Sequence, residues 1–257
     1  MAEHQGSFVW YDLMTTDPKA AEAFYKTVVG WDTADSGMPD RSYTILSTDK
    51  GQVGGLMPIP KEAADCGARP MWTGYIGVAD VDAAANELNK KGGTIKRPPQ
   101  DIPGVGRFAV VADPGGATFN LFTYKGNEAP KGPSMEPGQV GWRELSAADG
   151  PKAYDFYSQM FGWTKTEAMD MGALGVYQLF AAGGKDAVGG IMTKMADMPM
   201  PMWLFYFVVG NIDAAVERVK QAGGQVVNGP MEVPGGAWII QGVDPQGALF
   251  ALLGDRK

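Results

Sequence analysis

The chain has 257 residues, enough for two domains of ordinary size, and its 45% hydrophobic against 20% charged content lets it bury a core rather than stay disordered. With 22 basic against 29 acidic side chains the net charge is −7, which argues against nucleic acid as a partner. One cysteine, Cys66, and one histidine, His4, exclude a disulfide framework, a zinc finger, an iron–sulfur cluster and most histidine-based catalysis.

No stretch has the apolar length to cross a bilayer, and MAEHQGS lacks the pattern of a signal peptide, so a soluble cytoplasmic protein with no membrane partner is expected. His4 is expected in a mobile tail. The first alternating run, FVWYDLM (8–14), reads as a strand. Its parity sends Trp10 and Asp12 to one face and Val9, Tyr11 and Leu13 to the other. Asp17 and Pro18 make an N-cap and a first-turn proline, and Ala21, Phe24, Tyr25 and Val28 then recur at helical spacing. Gly30 sits where a left-handed cap closes a helix. Strand-like YTILST and QVGGLMP follow. The pair Gly54-Gly55 opens no helix and carries no Lys-Ser/Thr, so it reads as a bulge or tight strand contact rather than a phosphate loop.

A connector holding Cys66, expected as an exposed thiol with no histidine to activate it, leads to a second strand, WTGYIGV (72–78). A helix with Val81, Ala84, Ala85 and Leu88 on one face follows, capped at Gly92, and then three strand-like runs, GTIKRP, RFAVVAD and ATFNLFTY. The Gly/Pro-rich stretch GNEAPKGPSMEPG (126–138) is a linker by composition.

Beyond the linker the chain repeats itself. WYDLMTTDPKAAEAFYKTVVGW (10–31) lies without a gap on WRELSAADGPKAYDFYSQMFGW (142–163). PMWTGYIGVADVDAAANELNKKGG (70–93) lies on PMWLFYFVVGNIDAAVERVKQAGG (201–224), DPGGATF (113–119) on DPQGALF (244–250), and Gly54-Gly55 on Gly189-Gly190. The helix faces recur as Ala153, Phe156, Tyr157, Met160 and as Ile212, Ala215, Val216, Val219, with caps at Asp149, Gly162 and Gly223. The unit is one strand, one helix and several strands, four times over. This predicts an α+β chain of two homologous domains, 1–125 and 139–257, joined by the 126–138 linker. The methionine-rich connector MTKMADMPMPMW (192–203) reads as adaptable apolar filling or a lid; its first-half counterpart has few methionines, which weighs against a copper site.

A βαβββ unit whose helix closes with FY-x4-GW (17–31, 149–163), paired to one ending in DPxG (113–116, 244–247), resembles the vicinal oxygen chelate superfamily. That superfamily includes glyoxalase I, extradiol dioxygenases and bleomycin-resistance proteins. The W-x-D/E-L start (10–13, 142–145) resembles its glyoxalase-like subgroup with two such domains. The resemblance implies four βαβββ modules forming two tandem glyoxalase-like domains with curved, partly open mixed sheets. It also implies a divalent metal, with ligands at positions that here hold Trp10, Thr73 and Asn120 in one half and Trp142, Leu204 and Ala251 in the other. These depart from the usual His, Gln and Glu, so no cofactor is expected, although oxygen donors alone could still bind a hard ion.

By strand parity, Trp10, Asp12, Thr73, Tyr75, Asn120 and Phe122 should line the first cleft, and Trp142, Glu144, Leu204 and Tyr206 the second. A small aromatic or hydrophobic molecule is the expected ligand, and a cationic aromatic could stack on Trp10 beside Asp12. The same tryptophans could instead plug the sheets. Asp12 and Glu144 are the candidate acid–base residues of a lyase, isomerase or dioxygenase of the lactoylglutathione-lyase or ring-cleaving kind. In a structural role they would cap amides or pair with a basic residue such as Arg107 or Arg143. A scaffold with filled sheets is the third reading. A monomer or homodimer fits each of them.

Overall fold

The computed structural model describes residues 5–38, 42–125 and 134–256. His4 and residues 126–133 of the linker lie outside the described residues. The first module runs β1 (Phe8–Thr15), α1 (Pro18–Val28), β2 (Asp32–Asp35), β3 (Thr44–Thr48) and β4 (Gly51–Pro58). A five-residue helix, α2 (Lys61–Asp65), then leads to the second module: β5 (Met71–Gly77), α3 (Val81–Lys90), β6 (Thr94–Ile102), β7 (Gly106–Ala112) and β8 (Thr118–Tyr124). The third module is β9 (Val140–Ala147), α4 (Gly150–Phe161), β10 (Thr164–Asp170), a 3-10 turn (Gly172–Leu174), β11 (Val176–Ala181) and β12 (Gly189–Thr193). The fourth is β13 (Met202–Asn211), α5 (Ile212–Gln221), β14 (Gln225–Glu232), β15 (Trp238–Val243) and β16 (Leu249–Asp255).

The expected α+β class and four βαβββ modules are therefore present. One addition is α2, which the connector's composition did not announce; it carries no buried residue and ends at the exposed Cys66. The strands form two mixed sheets that do not close, ordered β2-β3-β4-β1-β5-β8-β7-β6 and β10-β11-β12-β9-β13-β16-β15-β14. Within each module the first and last strands pair in parallel, β1 with β4 and β5 with β8, because the helix carries the chain over the sheet; the others pair antiparallel through short turns.

Helix ends follow the capping chemistry. Asp17 and Asp149 accept from the amides of Ala20 and Lys152, and Asp80 and Asn211 do the same for α3 and α5. Gly30, Gly92, Gly162 and Gly223 all have positive φ, as the ends of the helical patterns required. The predicted apolar faces are buried, apart from Ala84 and Met160, which are half-buried. Among the described residues no helix is long and apolar enough to cross a membrane.

The sheets follow the two halves of the chain, but the compact units do not. One unit gathers Met1–Val9, Gly74–Pro133 and Arg143–Trp203, which are essentially the second and third modules. The other gathers Trp10–Thr73, Ser134–Trp142 and Leu204–Lys257, essentially the first and fourth. Each unit therefore takes one module from each half.

The repeated motifs explain why. In the unit of modules one and four, the Tyr25 hydroxyl donates to Asp244 Oδ2 at 3.1 Å and accepts from Trp72 Nε1 at 2.9 Å. Trp31 donates to the Gly138 carbonyl at 2.7 Å. Phe207 and Phe250 complete this aromatic interior. In the unit of modules two and three, Tyr157 donates to Asp113 Oδ2 at 3.1 Å and accepts from Trp203 at 3.2 Å, while Trp163 donates to the Gly6 carbonyl at 2.6 Å. Trp163 stacks on Phe180 with centroids 4.1 Å apart. The Tyr of FY, the Trp of GW and the Asp of DPxG are thus core residues. A buried phenol must find a hydrogen-bond partner, and the turn aspartate of the opposite half supplies it. Burial pushes the carboxyls of Asp113 and Asp244 above the usual carboxylate value, and it pushes the Tyr25 and Tyr157 hydroxyls well above theirs.

Candidate functional site

The strand faces opposite the helices carry the predicted site residues. On β1, Leu13 is fully buried and Tyr11 packs edge-on to Phe205 at 5.1 Å, while Trp10 and Asp12 take the other face, as parity predicted. Trp10 is half-exposed and Asp12 only 2% exposed. The Trp10 Nε1 lies 2.9 Å from Asp12 Oδ1 and 2.7 Å from the Tyr43 hydroxyl, and that hydroxyl donates to the same Asp12 oxygen at 2.6 Å. Indole, phenol and carboxylate thus close a three-membered hydrogen-bonded group.

Tyr43 was not among the sequence candidates, and neither was its counterpart Tyr177, whose hydroxyl donates to Glu144 Oε2 at 3.2 Å. Their signal was present in the glycine pairs. Gly55 stands opposite Asp12, and Gly190 opposite Glu144. A Cβ on Gly55 would run into the end of the Tyr43 ring, and one on Gly190 into the Tyr177 ring. The second glycine of each pair is therefore the floor on which a tyrosine lies to reach the carboxylate. The first serves strand contact: a Cβ on Gly54 would meet the Tyr11 carbonyl, and one on Gly189 the Arg143 carbonyl. The expected tight strand contacts are present.

Of the basic residues considered as partners for Asp12 and Glu144, Arg107 is engaged elsewhere. Arg107 pairs with Asp82 and, at 3.3 Å, with Asp101, and the two carboxylates hold its guanidinium above the ordinary arginine value. Arg143 is 1% exposed and donates to the Val188 carbonyl at 3.4 Å. A tyrosine hydroxyl reaches each carboxylate across the glycine floor, Tyr43 from just before β3 and Tyr177 from β11.

On the second module, Tyr75 and Asn120 stand opposite each other, as do Phe108 and Phe122. Tyr75 meets Phe122 edge-on at 5.9 Å and Phe108 at 6.4 Å, so three rings share one face with the buried Asn120 amide. Thr73 is buried near the start of β5. On the fourth module, Leu204 packs against Tyr206, Val208, Ile239, Ala251 and Leu253, and Trp142 of β9 joins it there. Here the Gln241 amide donates to the Tyr206 hydroxyl at 2.9 Å, and Asn228 donates to Gln241 at 3.2 Å.

As a cation site this donor set is poor. Trp142, Leu204 and Ala251 carry no lone pair for a metal, and Trp10 turns its N–H to Asp12 and Tyr43. Among the described residues no group of three or more His, Cys, Asp or Glu side chains is placed to hold a metal ion.

A family model described as the Glyoxalase/Bleomycin resistance protein/Dioxygenase superfamily matches residues 7–121 and again 139–252. The chain belongs to this superfamily. Among curated relatives, a protein of Mycobacterium tuberculosis named putative glyoxylase CFP32 is 34% identical over 97% of this chain and 95% of its own length. The anthracycline biosynthesis protein DnrV of Streptomyces peucetius is 30% identical over 98% of this chain and 94% of its own. Among solved structures, the Mn(II)-bound glyoxalase from Novosphingobium aromaticivorans superposes with a TM-score of 0.67 at 15% identity, covering 99% of this chain and 83% of the other. The 2,3-dioxygenase LapB from Pseudomonas sp. KL28 gives 0.67 at 14% identity, covering 99% and 94%. These two likenesses are of fold. Superfamily membership accounts for the tandem halves, since the same family model matches each of them.

Proposed function

We propose that this superfamily member binds a small aromatic or hydrophobic molecule on the strand faces of its sheets, without the superfamily's usual metal. The observation that carries this reading is the Trp10–Asp12–Tyr43 group. An indole stands where a metal ligand is expected, and its polar atom is bonded to its own neighbours. What such a group presents outward is ring carbon, which favours stacking over coordination. The buried ring cluster of Tyr75, Phe108 and Phe122, and the apolar packing of Trp142 on Ile239 and Leu253, give these faces the same apolar character.

Untagged protein tests it directly. Elemental analysis is expected to find no stoichiometric divalent metal. A thermal-shift panel of planar aromatics, with an anthracycline included because one relative is named for anthracycline biosynthesis, is expected to contain binders that raise Tm. A stoichiometric metal, or a flat response across the panel, would overturn the reading.

A second reading is acid–base catalysis in a lyase, isomerase or dioxygenase. It is favoured by one specific feature: each half places a tyrosine hydroxyl on a carboxylate, Tyr43 on Asp12 and Tyr177 on Glu144. Such a pair can accept and return a proton. Asp12→Asn combined with Glu144→Gln would abolish turnover of any substrate found by that route.

A further inference from the structure

The strand registers let the inner faces of the second and fourth modules be compared residue by residue. In the second, one row runs Tyr75, Asn120, Val110, Arg97 across β5, β8, β7 and β6. In the fourth, the matching row is Tyr206, Ala251, Gln241, Asn228 across β13, β16, β15 and β14. The neighbouring row is Phe122 and Phe108 in one, and Leu253 and Ile239 in the other. The two faces have thus diverged in a defined way. The fourth module ends its row in neutral amides that bond to each other and to Tyr206. The second has three aromatic rings and ends its row in an arginine.

That arginine differs from Arg107 and Lys125 on the same sheet. Arg107 and Lys125 are held by Asp82 and Asp101. Arg97 is exposed, makes no ion pair among the described residues, and lies with its guanidinium carbon 5.6 Å from the centroid of the Phe108 ring. The planar guanidinium is suited both to lie on an aromatic ring and to offer two parallel N–H donors to a carboxylate.

Building on the aromatic-binding reading above, we propose that the second-module face is a subsite for the acidic end of an aromatic carboxylate, with the exposed Arg97 as the anion anchor at the edge of the buried ring cluster of Phe108, Tyr75 and Phe122. The carboxylate meets the guanidinium at β6, the last strand of its sheet, where Arg97 is open to solvent. The aromatic ring takes the place beside Phe108. The fourth module, with Asn228 and Gln241 at the matching positions, has no cation there and would not distinguish an acid from its amide.

A matched pair of probes tests this: 2-naphthoate and 2-naphthamide, titrated by calorimetry into the full chain and into Arg97→Met, which keeps the apolar stem and removes the charge. The acid is expected to bind about tenfold more tightly than the amide, as one charge-assisted pair would give. That advantage should shrink at high salt. In Arg97→Met the acid should fall to the level of the amide, while the amide is unchanged. Equal affinities in the unaltered protein, or an acid preference that survives Arg97→Met, would overturn the anchor while leaving aromatic binding intact. Binding of neither probe would overturn the anchor, while the aromatic-binding reading would still stand or fall by the wider panel.

Discussion

The hydroxyl of Tyr25, on the first helix of the chain, donates to Asp244 Oδ2 at 3.1 Å, in a turn 219 residues further on. The same bond recurs between Tyr157 and Asp113. Two short motifs that look like independent signatures in the sequence are the two ends of one contact, made once in each compact unit.

Removing that hydroxyl should be costly. Tyr25→Phe leaves Trp72 Nε1 and Asp244 Oδ2 without this partner in a buried setting, and Tyr157→Phe does the same to Trp203 and Asp113. Each change is expected to destabilise by about 1–3 kcal/mol. Calorimetric unfolding of each single variant would show it as a fall of several degrees in Tm, with the double variant lower still.

The same pairs set a pH signature. Because burial raises the folded-state pKa of Asp113 and Asp244 above 3.8, the fold favours their protonated form. Their contribution to stability is complete below that ordinary value and is lost as pH rises through the raised one. Asp82, Asp101 and Asp149 run the other way: their lowered values favour the fold above 3.8 and lose that contribution on acidification. Urea unfolding across the acid range should therefore show Asp113→Asn and Asp244→Asn lacking a decline in stability with rising pH that the unaltered chain retains. Tyr25 and Tyr157, raised well above 10.0, add a loss of stability on the alkaline side of that value.

The glycine pairs should separate folding from binding. In Gly55→Ala the new methyl meets the far end of the Tyr43 side chain, which can swing away, so the backbone stays in place and Tm should fall less than in Gly54→Ala. Tyr43 would leave Asp12, and aromatic affinity at that face should drop. In Gly54→Ala the methyl meets the Tyr11 backbone carbonyl, which cannot move alone; a loss of about 3 kcal/mol is expected. Thermal unfolding and ligand titration on the two variants give opposite rankings if this assignment is right.

Cutting the chain should not free its halves. Residues 1–125 and 139–257, expressed together as separate chains, are expected to form a 1:1 complex on size-exclusion chromatography with light scattering, since each compact unit draws on both. Either half alone lacks the aspartate for its helix tyrosine and should expose the aromatic surface around Tyr25 or Tyr157.

Much of this was legible in the residues. The repeat, the capped helices at Asp17 and Asp149, and the face shared by Trp10 and Asp12 follow from spacing alone, because helix and strand periods act over a few residues. Periodicity could not reveal that Tyr25 meets Asp244, since nothing local distinguishes a contact within a half from one across halves. Tyr43 and Tyr177 were missed for a related reason. Their importance comes from the neighbouring strand, whose glycines make room for them, and only the register of β3 against β4 and of β11 against β12 brings that out. That Arg97 makes no ion pair among the described residues is likewise a property of its surroundings: on sequence it is one of several basic residues near Arg107.

The exchange of modules between the halves also bears on how such a chain can change over generations. Once each body is made of one piece from either copy, losing a copy dismantles both bodies together. The Trp142–Leu204–Ala251 face is then retained whether or not anything binds to it, because its strands and helix complete the interior around Tyr25. Duplication followed by cross-pairing works as a ratchet, since neither copy can be lost without dismantling the interior of both bodies.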